Sequence, residues 1–245
     1  MRGRFHCLAS CRALDEVQRP LERIYSNRFE GISSGARAAL WDCLWRTVLC
    51  RYVKSSDSVM DVGAGFCEFI NAAACARRIA VDLGPVERFA APGVEVLHAS
   101  ATNMAAIQAR SLDVVFASNV FEHLESKDEL FRALAEIYRV LRDGGRLMII
   151  QPNIRFAFRE YWDFVDHRLP LSDRSMVEAL KASGFDIEES RPRFLPYTTV
   201  SGIPKWPWLF RLYLVLPPLH RLFGKQMFIV ARKRQSEAAP CSGLA

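Results

Sequence analysis

The amino-acid sequence predicts an open, doubly wound α/β sheet, on three observations. Short apolar runs alternate with helical or turn-rich stretches across residues 58–151, the pattern of parallel strands joined by crossovers. The first run, Ser58–Val62, opens directly into the glycine turn Gly63-Ala64-Gly65. The second run ends on a carboxylate, Asp82, 19 residues beyond Gly63.

Each element follows from its own pattern. Over residues 36–52, Leu40, Trp41, Leu44, Trp45, Val48, Leu49 and Tyr52 recur at three- and four-residue spacing, which predicts a helix. Strands are expected at Ser58–Val62, 78–82, Val94–His98, 112–117 and 146–151, with helices at 67–77, 85–90, 102–108 and 127–142 between them. The last of these carries a capping box, Ser126-Lys127-Asp128-Glu129, and a stop signal, Gly144-Gly145. A further helix is expected at 172–183, closed by Gly184, and two more strands at 185–189 and 226–232. The segment joining these strands is too long for a tight hairpin. The expected organisation is an N-terminal lead-in at 1–35, one domain at 36–234 with an insertion at 192–224, and a disordered tail at 235–245.

Composition bounds the function. Half of the 245 residues are hydrophobic and 24% are charged, ample for a packed core and unlike a disordered chain. No stretch reaches the ~20 apolar residues of a membrane span; the best candidate, 206–219, is interrupted by Arg211 and three prolines. The N-terminal residues, with Arg2, Arg4 and Arg12, lack the apolar core of a secretory signal. Seven cysteines, at 7, 11, 43, 50, 67, 75 and 241, show no framework spacing and suit a reducing compartment. Cys7 and Cys11 lack the third cysteine of a cluster motif, so no metal is expected. Net charge is +6, yet residues 191–234 hold nine Lys or Arg and no Asp or Glu. That asymmetry points to an anionic partner.

The glycine turn reads Val59-Met60-Asp61-Val62-Gly63-Ala64-Gly65-Phe66-Cys67-Glu68-Phe69. Glycines between a strand and a helix let a ligand approach the backbone closely. Glu68 stands where a dinucleotide fingerprint wants a small residue, and no Gly-Lys-Ser/Thr follows, so neither a nicotinamide or flavin site nor a P-loop is indicated. A carboxylate at Asp82 can accept hydrogen bonds from both hydroxyls of a ribose.

With these stretches, with 112–124 (Leu-Asp-Val-Val-Phe-Ala-Ser-Asn-Val-Phe-Glu-His-Leu) and with 140–147 (Val-Leu-Arg-Asp-Gly-Gly-Arg-Leu), the chain resembles the class I S-adenosylmethionine-dependent methyltransferases from about residue 37 to 190, and more narrowly those acting on small molecules. The resemblance implies a Rossmann-like seven-stranded sheet in the order 3-2-1-4-5-7-6, its last strand antiparallel. It implies that Gly63, Ala64 and Gly65 border the methionine part of S-adenosyl-L-methionine, that Asp61 helps hold its amino group, that Asp82 binds the ribose with Leu83 beside the adenine, and that Asn119 and Val120 line the pocket. Gly63→Val is then expected to abolish binding by filling the ligand's space. Two departures stand out: Cys67 replaces a frequent third glycine, and the acid that usually contacts adenine after the third strand is missing, leaving Ser100.

A sulfonium methyl is already electrophilic, so placing the acceptor in line with it supplies much of the catalysis. A base is needed only where the acceptor must lose a proton. His123, after the fourth strand, is one candidate. Asp166 with His167, in a stretch holding Tyr161 and Trp162, is expected to form a carboxylate–imidazole pair facing the acceptor. The acceptor is expected to be a small molecule, glycan or lipid-linked compound. The alternatives are a nucleic-acid or protein methyltransferase and a non-catalytic protein that binds the cofactor; no dedicated nucleic-acid module is visible. The insertion core, 203–224, is expected to form two short helices that cap the pocket and also contact an anionic membrane, giving a cytoplasmic protein peripheral at the inner membrane surface.

Overall fold

The computed structural model describes residues 34–197 and 206–235; the expected lead-in up to residue 33 and the expected disordered tail from 236 lie outside them. Seven strands form one sheet in the order β3-β2-β1-β4-β5-β7-β6: β1 Ser58–Val62, β2 Arg77–Asp82, β3 Val94–His98, β4 Leu112–Ser118, β5 Leu141–Pro152, β6 Phe185–Arg191 and β7 Gln226–Lys233. The first five pair in parallel, and β7 runs antiparallel to both β5 and β6. This is the order and the antiparallel strand that the resemblance implied.

Helices cover both faces, so the inner strands are apolar on both sides. One face packs α3 (Lys127–Val140) and α5 (Asp173–Ala182) against Met60, Ile79, Val115, Leu147 and Ile149. The other packs α1 (Ser34–Thr47), α2 (Glu68–Ala72) and α6 (Pro207–Val215) against Val59, Ala80, Phe116, Ile150 and Phe228. The α6 helix leads through a proline step into α7 (Pro217–Phe223). These are the two short insertion helices the sequence predicted; residues 203–205 of that stretch lie outside the described ones.

Several expectations are corrected. The helix expected over 67–77 lasts only from Glu68 to Ala72, because β2 already begins at Arg77. Residues 85–90 and 102–108 form turns instead of helices; Gly84, Pro85, Pro92 and Gly93 leave little room for one between β2 and β3. The helix at 127 ends at Val140, before the glycines, and Leu141 starts β5 with a register shift opposite β4. Its start is only partly a capping box: the Ser126 hydroxyl accepts from the Glu129 amide at 3.3 Å, while the Glu129 carboxylate accepts from the amide of Glu125, not of Ser126. Between β5 and α5 lie α4 (Ile154–Ala157) and a one-turn 3-10 helix at Glu160–Asp163, which the sequence did not announce.

Candidate active site

Two groups of side chains gather at the carboxyl ends of the parallel strands, where open α/β sheets bind ligands. The first is built on the glycine turn. The amides of Gly63 and Ala64 both donate to the Val81 carbonyl, at 2.8 and 3.1 Å, drawing the turn over the end of β2. The Asp82 carboxylate ties the same region together. One oxygen accepts from the Gly65 amide at 2.8 Å and the other from the Gly84 amide at 2.7 Å.

Gly63, Gly65 and Cys67 all adopt left-handed backbone, with φ of +69°, +52° and +58°. Cys67 therefore takes the conformation a glycine adopts freely, which accounts for the frequency of glycine at that place. Its thiol is buried, and burial pushes its pKa up to about 12. The two glycines serve different ends. A Cβ on Gly63 would lie 2.4 Å from Val120 Cγ2, so this glycine lets the turn after β1 pack against the turn after β4. A Cβ on Gly65 would meet only the Gly63 carbonyl, at 4.0 Å. A side chain at Gly63 is therefore already opposed by Val120, whereas the space beside Gly65 is open among the described residues.

Beneath the turn, Asp61 is 3% exposed. Burial holds its pKa well above the usual carboxylate range, the charges of Asp82 and Glu68 push the same way, and a bond from the Ile70 amide opposes them. Arg37 of α1 reaches over to pair with Glu68 at 2.7 Å. Leu83 is exposed at the lip, beside Asp82. The Ser100 hydroxyl is engaged locally, accepting from the Thr102 amide at 3.2 Å and lying 2.9 Å from Thr102 Oγ1. Asn119 is exposed at φ +53° and its amide donates to the Ile150 carbonyl at 2.8 Å. A buried acid under an open glycine turn, a ribose-type acceptor at its rim and an exposed leucine next to it fit a ligand with a cationic amino acid end, a ribose and a flat base.

The second group gathers around His123 and His167. His123 Nδ1 is 3.0 Å from the Asp166 carbonyl and 3.4 Å from its carboxylate. His167 Nδ1 is 3.0 Å from the Tyr161 carbonyl. A nitrogen that bonds a carbonyl must carry the proton, so in the neutral form Nε2 of both rings is the basic atom. The two rings meet edge to face at 5.1 Å, and His167 stacks on Phe164 at 4.9 Å. The Asp166 carboxylate lies 3.4 Å from His123 Nδ1, and His167 contacts the Tyr161 carbonyl and the Phe164 and Tyr161 rings.

Two members of this group carried no assigned role in the sequence. Glu122 is 1% exposed, and it offers a carboxylate oxygen within 4.8 Å of a ring nitrogen of His123 and of His167. That spacing admits either proton exchange or a divalent cation. Tyr161 is fully buried, and its hydroxyl lacks a hydrogen-bond partner among the described residues. Burial, then the charges of Glu122 and Asp166, raise its pKa far beyond the physiological range, so it remains a phenol. Tyr161 was legible only as one aromatic near His167; Glu122 lay inside the recognised motif without a signal of its own.

Residues 60–149 match the family model described as a methyltransferase domain. No curated protein sequence matches the chain. Among solved structures, a SAM-dependent methyltransferase from Archaeoglobus fulgidus is similar at 22% identity, covering 86% of this chain and 99% of that one with a TM-score of 0.62. A Haloferax volcanii protein solved in complex with the Trm112 methyltransferase activator is similar at 18% identity, covering 86% of this chain and 98% of that one with a TM-score of 0.63. An S-adenosylmethionine-dependent methyltransferase from Mesorhizobium loti follows at 14% identity, covering 78% and 98%, with a TM-score of 0.56. At these identities the neighbours show the fold, and the match over residues 60–149 shows that this fold carries a methyltransferase domain.

Proposed function

We propose that the chain methylates a hydroxyl on an amphipathic small molecule, such as a glycan or lipid-linked acceptor, with His167 as the base. The observation that carries this reading is the 3.0 Å approach of His167 Nδ1 to the Tyr161 carbonyl, which favours the proton on Nδ1 and makes Nε2 the basic atom of the ring. When bound, S-adenosyl-L-methionine supplies an electrophilic methyl group. Gly65, Asp82, Leu83, Asn119 and Val120 would hold it, with Asp61 under its amino group and Ser100 toward its base. His167 removes the acceptor proton as the new bond forms, and Phe164 and Tyr161 exclude water around the ring. His123, oriented by Asp166, and the buried Glu122 stabilise the imidazolium that results.

Labelled cofactor incubated with lipid and aqueous extract fractions, followed by mass spectrometry, identifies the acceptor. His167→Ala should lower kcat by ~100-fold with cofactor affinity unchanged, and a chelator should leave the rate of the wild type unaltered. An unchanged kcat in His167→Ala refutes the base assignment, and loss of activity on chelation gives the Glu122–His123–His167 group to a metal instead.

A further inference from the structure

The insertion helices leave a large apolar surface uncovered. One side of α6 is fixed to the body of the protein. Tyr213 and Leu214 are buried, the Tyr213 hydroxyl donates to the Phe194 carbonyl at 2.5 Å, and buried His220 of α7 lies with Nε2 2.9 Å from the Tyr213 carbonyl. The other side is solvent-facing and apolar: Trp206 and Trp208 are 56% and 64% exposed and stack on each other at 5.9 Å, and Leu222 and Phe223 at the end of α7 are also exposed. Exposed apolar surface on this scale, held in one place by buried polar contacts, marks an interaction site rather than an incidental leucine.

A second exposed apolar element lies beside the acceptor side. Phe158 and Trp162 project from the stretch between β5 and α5, 56% and 62% exposed, and that same stretch supplies Tyr161 and leads to His167. The two elements are fastened together. Arg193 donates to the carbonyls of Leu222 and Gly224, at 2.8 and 2.9 Å, and its guanidinium lies over the Phe156 ring at 4.9 Å. Lys225, just past α7, pairs with Glu160. The end of α7, with Leu222 and Phe223, is therefore tied to the stretch that carries Phe158 and Trp162 in one linked rim, and α6 extends the exposed apolar surface of the insertion to Trp206 and Trp208.

We infer that this rim is a docking surface for an anionic lipid bilayer, which brings a lipid-linked acceptor to the His167 side of the site. Charge selects this occupant. Arg211 and Arg221 are exposed on α6 and α7, Arg159 is exposed beside Phe158, and residues 191–234 contain no acidic residue. Tryptophan and phenylalanine seat in the interface between headgroups and acyl chains, and arginine stems reach from there to phosphate. No helix among the described residues is long and apolar enough to cross a membrane, so the contact lies on the surface. The lipid-linked acceptor rests on the proposed function; the docking surface does not.

The test is co-sedimentation of the full chain with vesicles of phosphatidylcholine alone and of phosphatidylcholine with phosphatidylglycerol. The wild type should pellet with the anionic vesicles, more weakly as salt rises above ~0.1 M. Trp206→Ala with Trp208→Ala should weaken vesicle binding by ~10-fold or more, and Phe158→Ala with Trp162→Ala should do so independently. Cofactor affinity by calorimetry should be unchanged in both variants, which also shows that they fold. Wild-type protein that stays in the supernatant, or variants that bind vesicles as well as wild type, overturns the inference. Because vesicle binding is read without methyl transfer, its failure is distinct from a failure to find a hydroxyl acceptor.

Discussion

Replacing Gly63 with alanine separates protein packing from ligand contact. The added Cβ would sit 2.4 Å from Val120 Cγ2, well inside the ~3.5–4.0 Å of ordinary carbon contact. The backbone there has φ +69°, which costs an L residue ~1–2 kcal/mol. Overpacking adds ~1–3 kcal/mol. The sum, ~2–5 kcal/mol, is a large part of the ~5–15 kcal/mol net stability of an ordinary domain. Val120→Ala removes Cγ2 and should recover the overpacking share but not the backbone share. Urea unfolding of wild type, each single variant and the double variant gives the coupling energy directly. We expect the double variant to be ~1–3 kcal/mol more stable than additivity predicts. Gly65→Ala is the companion: its Cβ has open space, so it should cost only the backbone term yet weaken cofactor binding. Additive behaviour of Gly63→Ala and Val120→Ala would show that the Gly63–Val120 approach is not what the glycine protects.

Two further outcomes follow from the cofactor side. Asp82→Ala should weaken S-adenosyl-L-methionine binding by more than ~10-fold, since bonds to a charged acceptor are worth ~1.5–3 kcal/mol each; it should also loosen the turn, because the Gly65 and Gly84 amides lose their acceptor. Calorimetry alongside thermal unfolding reads both, and wild-type affinity in a folded variant contradicts the ribose assignment. For Asp61, the folded pKa lies above the unfolded one, so the native state binds more protons than the unfolded chain between the two values and stability declines as pH rises through that window. A cationic amino group placed above Asp61 lowers its pKa again, so cofactor binding should release protons in that window. Titrations in buffers of different ionisation enthalpy should show this release in wild type and not in Asp61→Asn; equal release in both assigns it elsewhere.

The parallel core was legible because each inner strand is a short apolar run that ends on a chemically marked residue, Asp82 or the glycine turn. What failed was crossover content. Glycine and proline around 84–93 exclude the helix that strand alternation predicts there, and the apolar side chain of Leu141 suits helix and strand equally. The glycine turn and the carboxylate that ends β2 are legible because both leave local signatures in sequence. The histidine group is not. Glu122, Tyr161 and His167 are assembled across more than forty residues by the irregular stretch after β5, and no local spacing encodes that meeting. Adjacency suggests a contact between Asp166 and His167 but does not announce that the Asp166 carboxylate also approaches His123, 43 residues away.

The place of β7 bears on how the chain acquires this fold. It lies between β5 and β6, and seven of its eight residues, all but Arg232, are buried. Until residues 226–233 have been synthesised, β5 presents an open apolar edge and β6 has no partner in the sheet. An unpaired edge of this kind invites pairing with another chain. The exposed tryptophans of the insertion precede β7 on the nascent chain, so an incomplete molecule would offer both an unpaired sheet edge and a lipid-philic surface. Completion of β7 is then the step that converts an aggregation-prone nascent chain into a closed sheet, and premature termination before residue 226 should yield insoluble product instead of a smaller folded domain.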